Sequence, residues 1–163
     1  MVEWAKEETE RFDSLKTYNK YKCENNYLGV LGERVLHEWM VSLKIPHVWE
    51  QFTKKGWDKP DFIINKNEID LKTTFAGALM IAVPTYDYYI FSRVNENLKE
   101  LFVISYIKGK RIQKLIDEDR LEMKKIEDMV YYRIPIAMMR KFEDFFLTMF
   151  KEKDYYSKKV RGN

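Results

Sequence analysis

Two short runs of β-branched and aromatic residues, separated by a two-residue break, constrain the fold of this chain more than any other feature. Residues 60–65 read PDFIIN and residues 68–75 read EIDLKTTF, a pattern that predicts the two antiparallel strands of a β-hairpin. Side chains alternate along a strand, so Asp70 and Lys72 share one face of the second strand. If the turn is centred near Asn65 and Lys66, Asp61 lies opposite Asp70, and a shift of one or two residues in register still leaves the two as diagonal neighbours. The sequence therefore predicts two carboxylates and an ammonium group side by side.

Two carboxylates beside an ammonium group are suited to binding a divalent cation. Two carboxylates this close raise each other's pKa unless a cation lies between them. Magnesium is usually held by one or two carboxylates, with water and substrate phosphate as its other ligands. An ammonium group beside it can orient an attacking water or stabilise the charge that develops on a phosphate. The pattern therefore favours metal-dependent hydrolysis of a phosphodiester.

The same residues resemble the PD-(D/E)xK nuclease superfamily, which includes restriction endonucleases and archaeal Holliday junction resolvases. The resemblance covers roughly residues 25–150 and rests on polar positions in a strand-turn-strand context. These positions are Glu33 in the predicted helix GERVLHEW, Asp61 after a proline, and Asp70 and Lys72 in the triplet DLK.

The resemblance implies a role for each position. Asp61 and Asp70 would ligate Mg²⁺, or Mn²⁺ in its place, together with the backbone carbonyl of Leu71. Lys72 would assist the attacking water, and Glu33 would contact the metal or its water. Thr74, two residues past the lysine, would face the DNA-binding cleft.

The resemblance also implies the fold and the activity. The fold would be α/β and restriction endonuclease-like, with a mixed central β-sheet flanked by α-helices and the site at one edge of the sheet. The activity would be Mg²⁺-dependent endonuclease cleavage of DNA, either structure-specific in the manner of a junction resolvase or of the restriction or repair type. Many such enzymes act as homodimers, because cutting two strands needs two sites.

Two alternatives stay open from the sequence. The chain could be a non-catalytic DNA-binding protein that keeps the nuclease fold, or an interaction module whose acids and lysine merely form surface ion pairs. Glu33 equally suits an ordinary glutamate at the margin of an apolar helix stripe. Binding of a divalent metal through the two aspartates discriminates between these interpretations.

A basic segment immediately before Asp61 is a candidate DNA contact. Lysines with an aromatic residue between them can hold a phosphate backbone or stack a base, although solvated loops have a similar composition. The candidate residues are Lys54, Lys55, Trp57 and Lys59. The net charge of +3 is too small to indicate nucleic acid by itself.

Composition sets the outer limits. A chain of 163 residues with 45% hydrophobic content predicts one nuclease-like domain over residues 1–163. Within it, residues 1–24 read as a helical extension, 25–150 as the catalytic core and 151–163 as a basic tail. No apolar run is long enough for a membrane span and no signal peptide is evident, so a cytoplasmic protein is expected. The single cysteine, Cys23, excludes an internal disulfide and a cysteine-built iron–sulfur cluster.

The other elements are predicted more coarsely. Strands are expected at 47–53, 87–94 and 100–107, and 76–85 fits either a helix or a buried strand. Residues 109–130 suggest a short helix and a surface excursion. A brief strand then precedes a helix that starts at Pro135, with Met139, Phe142, Phe146 and Phe150 on one side. In the helix with Glu33, the predicted apolar stripe is Leu28, Leu31, Val35, Trp39 and Leu43, and Gly29 and Gly32 suggest close packing on a strand.

Overall fold

The computed structural model describes residues 20–50, 59–75, 77–95 and 100–150, and side chains in the first helix from residue 28. Its centre is a mixed six-stranded sheet with the strand order β1-β2-β3-β5-β6-β9. Strand β3 pairs in parallel with β5, and the other neighbours in this sheet are antiparallel. The strands are β1 Val48–Trp49, β2 Phe62–Ile64, β3 Asn67–Thr74, β5 Tyr88–Val94, β6 Leu101–Lys108 and β9 Arg140–Lys141.

The predicted hairpin is confirmed in detail. Strands β2 and β3 are antiparallel, with Phe62 paired to Ile69 and Ile64 to Asn67. Asn65 and Lys66 between them have φ values of 48° and 67°, the left-handed conformation that a two-residue hairpin turn requires. Asn tolerates this region better than most residues, which explains where the turn forms.

One face of the sheet is covered by helices. Helix α1, Lys20–Ser42, and the helical residues 143–150, here called α3, pack against it. The shared core joins apolar residues of both helices to alternate residues of β2, β3, β5 and β6. Its fully buried members include Leu36, Met40, Phe62, Tyr106 and Phe145. Burial of large apolar and aromatic side chains is the dominant favourable contribution to the stability of such a layer.

The opposite face carries a second layer over only part of its width. A three-stranded sheet in the order β4-β8-β7 and helix α2 form it, with a core that includes Leu79, Tyr89, Phe91 and Ile112. Strand β5 alternates between the layers, because Tyr88 and Ile90 belong to the first core whereas Tyr89 and Phe91 belong to the second. The elements are β4 Ala78–Ile81, α2 Gly109–Asp117, β7 Glu122–Ile126 and β8 Met129–Pro135.

The predicted mixed sheet flanked by helices is therefore confirmed, and two local expectations need correction. Residues 76–85, which fit either a helix or a buried strand, contain strand β4. Residues 122–126 form strand β7, where a surface excursion was expected. After Pro135 the chain forms a 3₁₀ turn, Ile136–Met138, and strand β9 before the helix begins at residue 143, so Met139 and Phe142 lie outside that helix.

The buried stripe of α1 also differs from the expected one. It consists of Leu28, Leu31, Leu36 and Met40, whereas Trp39 is 40% exposed and Leu43 is 53% exposed. A Cβ at Gly32 would overlap the side chain of Thr73 in β3, so the helix approaches the strand most closely at this glycine. The helix therefore turns Gly32 towards β3, which changes the set of buried residues from the predicted one. Nothing lies within 4 Å of a Cβ at Gly29, so close packing is confirmed for only one of the two glycines.

Three further expectations lie wholly or partly outside the described residues. The N-terminal extension is described only from residue 20, where α1 has begun, and the basic tail after residue 150 is not described. Of the strand expected at 47–53, the structure shows Val48–Trp49, and residues 51–58 are not described. Within the described ranges, no helix is both long and apolar enough to cross a membrane.

Candidate functional site

The β2–β3 hairpin brings two carboxylates together. Phe62 and Ile69 are paired in register, so the next residues outward, Asp61 and Asp70, lie opposite each other. Both aspartates project from the face opposite to the first core, since their neighbours Phe62, Ile69 and Leu71 point into that core. The backbone N–H of Leu71 donates a hydrogen bond of 2.6 Å to Asp61 Oδ2. This bond fixes the Asp61 carboxylate beside the strand that carries Asp70.

Lys72 forms an ion pair with Asp70 on the same face of β3. Its Nζ donates to Asp70 Oδ1 at 2.8 Å. The lysine side chain is 46% exposed, whereas that of Asp70 is only 8% exposed. The second oxygen, Asp70 Oδ2, is buried and has no hydrogen-bond partner among the described residues. A buried carboxylate oxygen without a partner is costly and calls for an explanation.

Glu33 adds a third acid from helix α1. It is 5% exposed, and the indole N–H of Trp49 donates to its Oε2 over a long distance of 3.4 Å. Burial raises the pKa of Glu33 to about 7; the Trp49 hydrogen bond opposes this rise and the charge of Asp70 adds to it. At neutral pH a substantial fraction of Glu33 is therefore protonated.

The remaining pKa shifts show that the four groups share one electrostatic environment. Burial, then the charges of Glu33 and Asp70, raise the pKa of Asp61 well above its usual range. Burial alone would lower the pKa of Lys72, but Asp70 and Asp61 outweigh burial and raise it. Among the described residues, these three carboxyl groups face the single ammonium group of Lys72, so this part of the chain carries an excess of negative charge that a cation would neutralise.

The donor set fits a hard divalent cation that keeps part of its water shell. Among the described residues, no group of three or more His, Cys, Asp or Glu side chains is arranged to hold a metal ion alone. Magnesium does not need one, because it typically takes one or two carboxylates and completes its shell with water and substrate phosphate. The unpartnered Asp70 Oδ2 is an oxygen of the kind that such an ion takes as a ligand.

The structure thus brings Glu33, Asp61, Asp70 and Lys72 together as the sequence predicted. Of the expected DNA contacts, Lys59 lies next to the site in the chain, and its Nζ is 3.6 Å from a Glu50 oxygen. Thr74 is half-buried at the end of β3. Lys54, Lys55 and Trp57 lie outside the described residues. The metal-binding role of the Leu71 carbonyl stays a prediction.

Two aromatic residues at the site were missed by the sequence analysis. The first is Trp49, which donates to Glu33; His37 stacks on its ring with centroids 4.3 Å apart. The second is Tyr86, whose hydroxyl donates to the Lys59 carbonyl at 3.0 Å. Neither aromatic belongs to the superfamily pattern, and only the folded arrangement of separate segments reveals them.

His37 forms a hydrogen-bonded pair with His47. Its Nδ1 is 2.9 Å from His47 Nε2, and His47 Nδ1 is 2.7 Å from the Ile45 carbonyl. Because a carbonyl only accepts, His47 Nδ1 carries a proton, and in the neutral pair His37 Nδ1 is then the donor. Burial, then His47 and Arg34, lower the pKa of His37. His37 is thus held by His47 while it stacks on Trp49.

Comparison with known proteins adds little to this geometry. No protein-family model and no curated protein sequence matches the chain. Among solved structures, the chain is similar to a nuclease from a fusselovirus, with 15% sequence identity and a TM-score of 0.44. The match covers 79% of this chain and 97% of the viral one.

Proposed function

We propose that this protein is a Mg²⁺-dependent endonuclease that hydrolyses DNA phosphodiester bonds with a site of the PD-(D/E)xK type. The observation that carries the proposal is the buried Oδ2 of Asp70, which has no hydrogen-bond partner in the described part of the chain and lies within a cluster of three acids and one lysine. A surface ion pair would leave neither a buried oxygen without a partner nor carboxyl groups with raised pKa values.

Asp61, Asp70 and the Leu71 carbonyl would hold the metal, with Glu33 against it or its water. Mn²⁺ is the expected substitute. When bound, the ion would supply Lewis-acid activation of the phosphate and a more acidic water. The protein's own contribution is a rigid set of oxygen donors on one face of the sheet, at the interior strands β2 and β3 and not at a sheet edge as expected from the sequence.

Lys72 acts as a fixed positive charge in this proposal. Its raised pKa keeps the ammonium group protonated at neutral pH, so it orients the attacking water and stabilises the charge developing on the phosphate. It is therefore not the proton acceptor. Glu33, with a pKa of about 7, is better matched to exchange a proton at neutral pH.

The DNA would approach the site from the side of the basic segment before Asp61. Lys54, Lys55, Trp57 and Lys59 would contact the backbone, and Thr74 would line the cleft. Cleavage of both strands of a duplex or junction would need two copies of the site, which a homodimer supplies. A resolvase-like and a restriction or repair activity make different predictions about the preferred DNA structure.

The test is cleavage of a labelled panel of linear duplex, single strand, flap and four-way junction, with Mg²⁺ or Mn²⁺. Wild type should cut at least one substrate only when metal is present. Asp70→Asn, which removes a charge with little change in shape, should lower the rate at least about a hundredfold. Glu68→Gln is the matched control, because Glu68 is an exposed carboxylate on the same face of β3, and its activity should equal that of wild type.

Calorimetry separates the rival functions. Binding of Mg²⁺ or Mn²⁺ that Asp70→Asn abolishes supports the metal site even before a substrate is found. Binding of DNA without metal binding and without cleavage would contradict the proposal and favour a non-catalytic DNA-binding protein. Absence of both would favour acids and a lysine that merely pair.

A further inference from the structure

Hydrogen bonds hold the loop of residues 82–87 over the face of the sheet that carries Asp61 and Asp70. Tyr89 projects into the second layer from the sheet, and its hydroxyl accepts hydrogen bonds from the backbone N–H groups of Thr85 and Tyr86 at 2.8 and 3.2 Å. The loop therefore folds back over that face instead of extending along strand β5. Exposed loops are seldom held at so many points.

Contacts from two other elements hold the same loop. Asp87 Oδ2 accepts from the backbone N–H of Glu68 at the start of β3 (3.0 Å), and its carbonyl accepts from Gly109 at the start of α2 (2.8 Å). A Cβ at Gly109 would overlap the Tyr86 carbonyl oxygen, so α2 packs directly against the loop backbone. The position of Tyr86 is thus fixed before any substrate binds.

From this position the Tyr86 side chain passes over the site. Its hydroxyl donates to the carbonyl of Lys59, which precedes β2, while Tyr86 itself precedes β5. Strand β3 lies between β2 and β5, so the link crosses the face on which Asp70 and Lys72 stand. The ring packs beside that of Tyr89, with centroids 6.0 Å apart, and stays half-buried.

The charges around the phenol agree with this placement. Burial, then the charges of Asp70 and Asp61, raise the pKa of Tyr86, and Lys72 opposes the rise. The hydroxyl therefore keeps its proton at neutral pH and is a neutral donor beside the acids. Its present acceptor is one backbone carbonyl near the protein surface, which water can satisfy if the donor turns away.

We infer that Tyr86 is a substrate-binding residue whose O–H leaves the Lys59 carbonyl and donates to a nonbridging oxygen of the scissile phosphodiester. This inference rests on the proposed nuclease function. A neutral donor suits this position, because it contacts an anionic phosphate without adding a second cation to the metal and Lys72. The ring would form one wall of the site, held in place through Tyr89 and α2.

A substrate-modification cycle tests the contact. The substrate is whichever DNA of the panel wild type cuts, made with oxygen, with the Rp phosphorothioate or with the Sp phosphorothioate at the scissile position, and assayed with Mn²⁺, which tolerates sulfur. Tyr86→Phe keeps the ring and removes the hydroxyl. It should lower kcat/KM about tenfold on the oxygen substrate and on one diastereomer, and less than twofold on the diastereomer whose sulfur replaces the contacted oxygen.

Tyr89→Phe is the matched structural control. It removes the hydroxyl that fixes the loop but should not touch the substrate, so its loss should be equal on all three substrates. Any general loss of folded protein cancels, because the substrates are compared within each variant. Equal losses for Tyr86→Phe on all three substrates, or no loss, would overturn the inference while leaving the nuclease proposal intact. A wild type that cuts none of the panel with either metal would overturn both.

Discussion

Two hairpins of this protein carry the same acid-x-lysine pattern in opposite environments. Strand β3 contains Asp70 and Lys72, and strand β7 contains Glu122 and Lys124. Every residue of β7 is exposed, and Glu122 pairs with Arg133 of the neighbouring strand at 3.1 Å. In β3 the acid is buried beside two other acids. The acid-x-lysine pattern alone therefore does not create such a cluster. The cluster forms because protein layers cover the β2–β3 hairpin, whereas strand β7 is left in solvent.

The largest expected effect comes from replacing Lys72, with the replacement of Lys124 as its control. Lys72→Ala should lower the rate of DNA cleavage at least about a hundredfold, because it removes the fixed positive charge beside the reacting phosphate. Lys124→Ala should leave the rate within about twofold of wild type, since the same pattern in β7 is fully solvated. Rates are measured at saturating Mn²⁺ on the preferred substrate. Equal losses in both variants would mean that the two lysines only contribute general DNA affinity.

The next effect concerns stability and its dependence on pH. The folded pKa of Glu33, about 7, lies above the ordinary value of 4.5, so the unfolded chain releases this proton first as the pH rises. The contribution of Glu33 to the stability without metal should therefore fall between about pH 4.5 and 7 and then level off. Glu33→Gln removes this penalty and should raise the free energy of unfolding by up to about 3 kcal/mol at pH 8.

Urea denaturation at two pH values checks this prediction. The gain from Glu33→Gln should be nearly absent at pH 4, where both the folded and the unfolded chain are protonated at this position. A variant that is destabilised at pH 8 would show that the Glu33 carboxylate is held by favourable contacts rather than strained by burial. The measurement needs a chelator, because bound metal would offset the penalty in wild type.

A smaller effect tests how closely helix α1 packs against strand β3. Gly32→Ala should destabilise the protein by about 1–3 kcal/mol, because the added Cβ would overlap Thr73 and force α1 away from β3. Gly29→Ala, three residues earlier in the same helix, meets nothing within 4 Å and should stabilise by about 0.5–1 kcal/mol through helix propensity. Opposite signs in thermal denaturation support this packing. Stabilisation by both would place the helix farther from the strand.

The smallest effect lies in the exposed hairpin. Glu122→Gln breaks the ion pair with Arg133, whose partners are both more than half exposed. Such pairs contribute little, so the free energy of unfolding should change by less than about 1 kcal/mol. Salt titration of the denaturation midpoint should show no difference from wild type above about 0.5 M, where surface charges are screened. A larger loss would mean that β7 is covered in solution.

The hairpin of the site could be predicted from sequence because its signals are local. The alternation of side chains fixes the faces of β3, and the two-residue turn fixes the register of Asp61 with Asp70. Strand β7 gave no such signal, since EMKKI is exposed on both sides, and only pairing with β8 makes it a strand. Strand β9 was missed for the same reason: Arg140 and Lys141 pair with β6 before the helix begins.

The remainder of the site depends on contacts between distant segments. Trp49 reaches Glu33 from β1, and Tyr86 reaches Lys59 from a loop 27 residues farther along the chain. Neither contact has a periodicity or spacing that sequence inspection can recognise. The rotation of α1 was misjudged likewise, because Gly32, which determines its closest approach to β3, contributes nothing to an apolar stripe.

The position of Gly32, directly before Glu33, has a consequence for the whole cluster. The helix that supplies one acid has no side chain of its own at the contact, and only the side chain of Thr73 separates its backbone from β3, the strand that supplies another acid. A small outward shift of side chains therefore cannot relieve the repulsion among the acids, because their spacing is set by the packing of the helix on the strand. A site built this way is preorganised, since the free energy that would otherwise be lost in gathering its ligands has already been spent in folding.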